Sequence, residues 1–260
     1  MKIRNLNLGN SGYRIYLIFF SLFILLFSCT KKSTVSIIVS PGQEFSQAMD
    51  LLQAKKYNKA IESFQNIVFN YPGSSYAADA QFYLADAYFQ KKDYNSAIPE
   101  FEFFVNSFTG NQHIEEAYYK TALSYFYVTP AVGKDQVVLG KTLEIIDELK
   151  ERFPETKYRE DIEQLKNKIA ERWSEKSYII GELYFKGGEY ASACVYLDFV
   201  QNEFPQTKWS SYSKYLLGQI YEKTDSIAQA ISLYQTLQND STDVNIRKLV
   251  KQRLDNLKQK

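Results

Sequence analysis

The sequence predicts an all-α protein, a superhelix of five stacked helix pairs. Three observations carry this. First, a large residue, a small residue three later, a bulky one at seven and a helix stop at fifteen recur along the chain. The copies are Tyr57, Ala60, Phe64, Pro72; Tyr94, Ala97, Phe101, Thr109; Leu139, Thr142, Ile146, Pro154; Tyr190, Ala193, Leu197, Pro205; and Ile227, Ala230, Tyr234, Thr242. Second, each copy's small residue has a mate on the helix before it: Ala48, Ala85, Ala122, Gly181 and Gly218. Small side chains at matched positions let two helices cross closely. Third, the repeat is about as long as one helical hairpin, a unit that buries its apolar face only by stacking on copies of itself.

The first 28 residues stand outside this pattern. Lys2, Arg4 and Arg14 are their only charges, and Ile15 to Phe27 is apolar apart from Ser21. As a helix that run would reach about 20 Å, short of a hydrocarbon core of roughly 30 Å, so residues 1–28 are expected to be a removable secretory signal. Leu26-Phe27-Ser28-Cys29 resembles a bacterial lipobox, with Phe27 where a smaller residue is usual. The resemblance implies cleavage before Cys29 and acylation of its thiol. Thr30, where an aspartate would resemble an inner-membrane retention signal, favours the outer membrane. Residues 29–42 are expected to form the lipidated tether and residues 43–260 the repeat domain. Losing residues 1–28 removes three basic residues and no acidic one, leaving 28 against 30, a balance that gives no footing for nucleic acid.

From Gln43 the helical period takes over. The first pair is expected at Gln43–Lys55 and Asn58–Asn70, stopped by Tyr71-Pro72-Gly73 because proline cannot continue a helix. The second is Ala77–Lys91 and Tyr94–Ser107, and the third opens with Glu115–Tyr127. Val128–Val138, with Pro130, Gly133 and Asp135, reads as a longer loop inside the third pair. Tyr158–Glu175 carries Ile162, Leu165, Ile169 and Trp173 as one apolar stripe, so an extra helix is expected before the fourth pair. The fourth pair is Lys176–Lys186 and Tyr190–Glu203, turning at Gly187-Gly188, and the fifth is Ser211–Lys223 and Ile227–Gln238. Val244–Leu257, apolar on one side and basic on the other, is the expected capping helix.

The aligned small residues, followed three later by Leu51, Tyr88, Tyr125, Tyr184 and Tyr221, form the tetratricopeptide pattern. The chain resembles a tetratricopeptide-repeat protein over residues 43–240. That likeness implies a right-handed superhelix with a concave face built from the first helix of each pair. Phe45, Phe82, Tyr119, Tyr178 and Tyr215 each precede the first small residue by three, and Phe89, Phe126 and Phe185 follow seven later. One reading makes these rings an aromatic groove for an extended peptide, with Phe45, Phe82, Phe89, Tyr119, Phe126 and Tyr178 as its lining. The other makes them packing between pairs.

Residues for chemistry are sparse. His113 is the only histidine and is expected in a solvated loop; Cys194 is expected as a small core residue. Gly140-Lys141-Thr142 looks like the end of a phosphate-binding loop, but Asp135 stands where its first glycine belongs. No enzyme activity, metal, cofactor or small-molecule substrate is expected.

A lipobox, five repeats, an interruption in the third and a helix before the fourth resemble the BamD family, the lipoprotein component of the β-barrel assembly machinery. Tyr71-Pro72-Gly73-Ser74-Ser75-Tyr76-Ala77 and Phe204-Pro205-Gln206-Thr207 look like that family's inter-repeat corners. The resemblance implies a protein-binding adaptor held on the periplasmic side of the outer membrane. It would dock on the barrel insertase and receive unfolded outer-membrane proteins. A scaffold for other cell-envelope machinery, in cell division or linked to polysaccharide, is the alternative.

Overall fold

The computed structural model describes residues 40–132 and 137–259. Cys29, the signal and the tether before Ser40 lie outside the described residues, as do Gly133 and Asp135 of the long loop. Eleven helices and no strand occur among the described residues. They are α1 (Pro41–Gln53), α2 (Tyr57–Asn70), α3 (Ala77–Gln90), α4 (Tyr94–Ser107), α5 (Ile114–Val128), α6 (Val137–Arg152), α7 (Arg159–Lys186), α8 (Tyr190–Glu203), α9 (Lys208–Lys223), α10 (Ile227–Asp240) and α11 (Val244–Lys258). Nearly every substantial packing contact joins helices adjacent in sequence. The chain is therefore a stack of hairpins of tetratricopeptide type.

Small residues set the hairpin crossings as the spacing predicts. Ala48, Ala60, Ala85, Ala97, Ala122, Thr142, Ala193 and Ala230 have no exposed surface. The two glycines in this role are tighter. A Cβ on Gly181 would lie 2.9 Å from Leu197 Cδ2, and one on Gly218 only 2.3 Å from Tyr234 Cε1. Tyr234 itself is fully buried and donates its hydroxyl to Glu222 Oε1 at 2.7 Å.

Several boundaries shift by one to three residues from expectation, as where α9 begins at Lys208 rather than Ser211, and two of the differences have a plain cause. α1 begins at Pro41, two residues early, because Ser40 makes a capping box: Gln43 N–H donates to Ser40 Oγ at 3.3 Å and Ser40 N–H to Gln43 Oε1 at 3.3 Å. Proline fits the first helical position, where its missing donor would be unpaired anyway. The larger difference lies at the inserted helix. It is continuous with the first helix of the fourth pair, giving the 28-residue α7. No proline interrupts residues 159–186, so nothing stops the helix between its two apolar faces.

Those two faces serve different cores. Ile162, Leu165 and Ile169 are buried with Phe101, Phe126 and Leu149 of the second and third pairs. Further along, Tyr178 and Phe185 pack on Ala193, Leu197 and Leu217 of the last two pairs. One turn between them holds both halves. The Arg172 guanidinium lies 4.1 Å from the Phe126 ring centroid, and its Nη1 donates to the Phe126 carbonyl at 3.4 Å. Glu171 Oε1 accepts from Lys208 N–H at 3.2 Å, and Trp173 lies 6.3 Å from Phe204.

The glycines make a paired prediction. Gly218→Ala forces a Cβ into Tyr234 and should lose about 1–3 kcal/mol of stability as an overpacking change. Gly140, inside α6 with nothing within 4 Å of its would-be Cβ, should gain about 0.5–1 kcal/mol as alanine from helix propensity. Urea unfolding of both variants reads the opposite signs.

Candidate protein-binding face

The aligned aromatics form a series of clasps between successive pairs. Phe45 lies 5.4 Å from Tyr76, Phe82 4.3 Å from His113, Tyr119 4.4 Å from Tyr158, and Tyr178 5.0 Å from Trp209. Tyr76, His113 and Tyr158 are the N-cap residues of α3, α5 and α7, and Trp209 is the second residue of α9. Each first-helix ring thus closes on the entry of the following first helix. His113, expected in solvent, is stacked at 8° on Phe82. Burial, followed by nearby acidic groups, pushes the Tyr119 and Tyr178 hydroxyls up to about 12.

These contacts change the reading of the proposed lining. Phe82 is 2 % exposed and Phe126 6 %, with Arg172 over the Phe126 ring, so neither offers a face to a ligand. Phe45, Tyr119 and Tyr178 are half-buried and occupied by their clasps. Phe89 is different. It stands 5.4 Å from Tyr94 and 6.4 Å from Tyr127, while Tyr94 and Tyr127 stack at 4.7 Å. Tyr127 is 47 % exposed. The trio comes from the end of α3, the start of α4 and the end of α5; Tyr127 is its exposed member, and Phe89 and Tyr94 are half-buried beside it. The repeat spacing conceals Tyr127, which follows Phe126 and is one register step off the aligned series. Tyr94 enters the repeat pattern only as a turn marker.

A charged knot lies beside the trio. Lys120 Nζ on α5 sits 2.5 Å from Asp86 Oδ1 on α3 and 2.7 Å from Glu116 Oε1. Gln90 Nε2 donates to the other Asp86 oxygen at 2.6 Å. The same ammonium lies 5.4 Å from the Phe82 centroid and 5.8 Å from that of Phe89. Burial pulls the Lys120 amine down, but Asp86 and Glu116 pull harder the other way, so its net shift is upward. A lysine with two carboxylates and two ring faces is fixed in place, and it gives the aromatic surface a rigid polar border. No group of three or more His, Cys, Asp or Glu side chains suited to a metal occurs among the described residues.

Stacked helical hairpins bearing the exposed Tyr127 ring define a protein-binding repeat scaffold. The chain belongs to the family described as YfiO: Outer membrane lipoprotein, whose model matches residues 39–237. No curated protein matches it. Among solved structures it is similar to a thermophilic TPR protein of Thermus thermophilus, at 14 % identity over 83 % of this chain and 99 % of that one, TM-score 0.37. It is also similar to the TPR domain of P58(IPK), at 18 % identity over 85 % and 67 %, TM-score 0.40. The fold assignment stands on the helix pairs themselves.

Two substitutions separate core from surface here. Phe82→Ala should cost about 3–5 kcal/mol, as for other buried phenylalanines. Tyr127→Ala should cost about 1 kcal/mol or less and weaken capture of an aromatic-rich unfolded peptide. Urea unfolding and fluorescence-anisotropy titration measure the two effects; equal peptide binding by Tyr127→Ala and the parent chain would remove the trio from the site.

Proposed function

We propose that this protein is a lipid-anchored adaptor of the BamD kind, acting in the assembly of outer-membrane β-barrels. The observation that carries this is the exposed Tyr127 ring, stacked on Tyr94 beside Phe89, on a chain of an outer-membrane lipoprotein family. Unfolded barrel strands alternate apolar and polar residues and are rich in aromatics. Such a segment can lay its apolar side chains on the trio while its polar ones meet the border formed by Lys120 and its partners. Acylation of Cys29 would hold this surface at the membrane, where its substrates arrive. Tethering raises effective concentration without further contacts, so weak and releasable capture is sufficient. In this reading the first three pairs receive substrate, and the later pairs, joined through α7, dock on the insertase.

Co-purification tests the reading. The tagged full-length protein, taken from detergent-solubilised envelopes, should carry a membrane-embedded barrel insertase, and Tyr127→Ala should keep the insertase while losing unfolded barrel proteins. An envelope division or polysaccharide complex in place of the insertase would overturn the assignment.

A further inference from the structure

The hairpin turns of the first two pairs carry a cluster of positive charge. Lys55 and Lys56 form the first turn with Lys59 one turn into α2, and Lys91 and Lys92 form the second. All five are exposed. Lys55, Lys56, Tyr57, Lys59 and Lys91 line one shallow hollow of about 370 Å³. Among the described residues, the only ion pair any of these lysines makes is Lys91 with Asp93, at 3.9 Å. Asp50 and Glu62 stand further back along α1 and α2, and neither is ion-paired to a lysine of the cluster.

Among the described hairpin turns, adjacent lysines occur in the first two pairs. Lys55 and Lys92 occupy the same slot, two residues before the second helix of their pairs, at φ 56° and 65°. In the fourth and fifth pairs that left-handed slot holds Gly188 at φ 79° and Asp225 at φ 61°. Glycine takes this conformation without strain, whereas lysine does not. The residues just before the second helix are Lys56 in the first pair but Glu189 and Ser226 in the later ones. Among the described turns the basic ones are therefore those of the first two pairs, nearest in sequence to the tether.

Two further facts point to lipid. Cys29 precedes Ser40 by eleven residues, an extended reach of about 35–40 Å, while α1 is only about 20 Å long. Were Cys29 acylated, the turn lysines at the far end of α1 would be within range of the surface that holds it. At the near end, Asn66 Nδ2 of α2 donates to Glu44 Oε1 of α1 at 2.5 Å, so the last turn of α2 lies beside the start of α1. Phe69 in that turn is 75 % exposed and has no ring partner among the described residues. Basic side chains at one end and a bare ring near the tether match the headgroup and interfacial layers of a bilayer.

We propose that the first pair lies against the membrane, with Lys55, Lys56, Lys59, Lys91 and Lys92 on anionic phospholipid headgroups and Phe69 at the interface. This rests on the lipid-anchor reading above. Each lysine near such a surface adds roughly fivefold to binding. Docking would fix the orientation of the stack, so that the aromatic trio is presented at a set height.

The test uses the full protein purified from envelopes and reconstituted into vesicles of phosphatidylcholine alone or mixed equally with phosphatidylglycerol. Amine labelling is read residue by residue by mass spectrometry. The five lysines should label several-fold more slowly on the anionic vesicles than on the neutral ones, while Lys248 and Lys251 of α11 are unchanged. The difference should vanish as salt rises from about 0.1 M to 1 M, where the Debye length falls from roughly 10 to 3 Å. Equal labelling on both vesicles overturns the docking and leaves the anchor standing. A chain that fails to float with neutral vesicles overturns the anchor, and this docking with it. Protection that requires envelope proteins, and is absent on pure lipid, would overturn the docking and assign the cluster to an acidic protein instead.

Discussion

The close crossing within each hairpin is the constraint from which the rest follows. Alanine, glycine or threonine at the contact brings the two backbones together, and only then can Phe64, Phe101, Ile146, Leu197 and Tyr234 fill the flanking grooves with no surface exposed. Gly218 shows how little slack there is, since the Tyr234 ring occupies the space that a Cβ would take. The hairpin is in turn too thin to bury its own apolar faces. Each pair must be covered by the next, and the chain becomes a stack in which contacts run to neighbours.

The aromatic clasps make that stack directional. A ring on one first helix closes on the entry residue of the following first helix, so every pair positions its successor. Rings used this way are withdrawn from binding. Outside the clasps stands the cluster of Phe89, Tyr94 and Tyr127, with the Tyr127 ring exposed and the Lys120 knot as its border. The long α7 adds a second consequence. It replaces an ordinary corner with a single rigid element, so the two ends of the stack are linked through one turn at Glu171, Arg172 and Trp173.

The hairpins were legible in the sequence because their determinants are local. A small residue, a bulky one four later and a helix stop eight after that, proline in three copies and threonine in two, recur at fixed spacing, and the crossing leaves few alternatives. Both halves of α7 were legible too, but not their continuity, because a helix stop is signalled by residues and a missing stop is signalled by nothing. The site was harder. An aromatic on a helix face suits core and groove equally, and its fate depends on a residue about 31 positions ahead: Tyr76 for Phe45, His113 for Phe82, Trp209 for Tyr178. His113 shows the same blindness from the other side, a histidine assigned to solvent that serves as a stacking plate. The anchor at Cys29 rests on sequence alone.

Native-state hydrogen exchange bears most directly on the central claim. A stack held by close crossings and neighbour contacts opens from its ends, so protection should peak in α3 to α6 and the first half of α7 and decline toward α1 and α11. The amides around Arg172 should exchange no faster than those of the turns on either side. Uniform protection across all eleven helices, lost in a single step, would mean one globular core and would contradict the account.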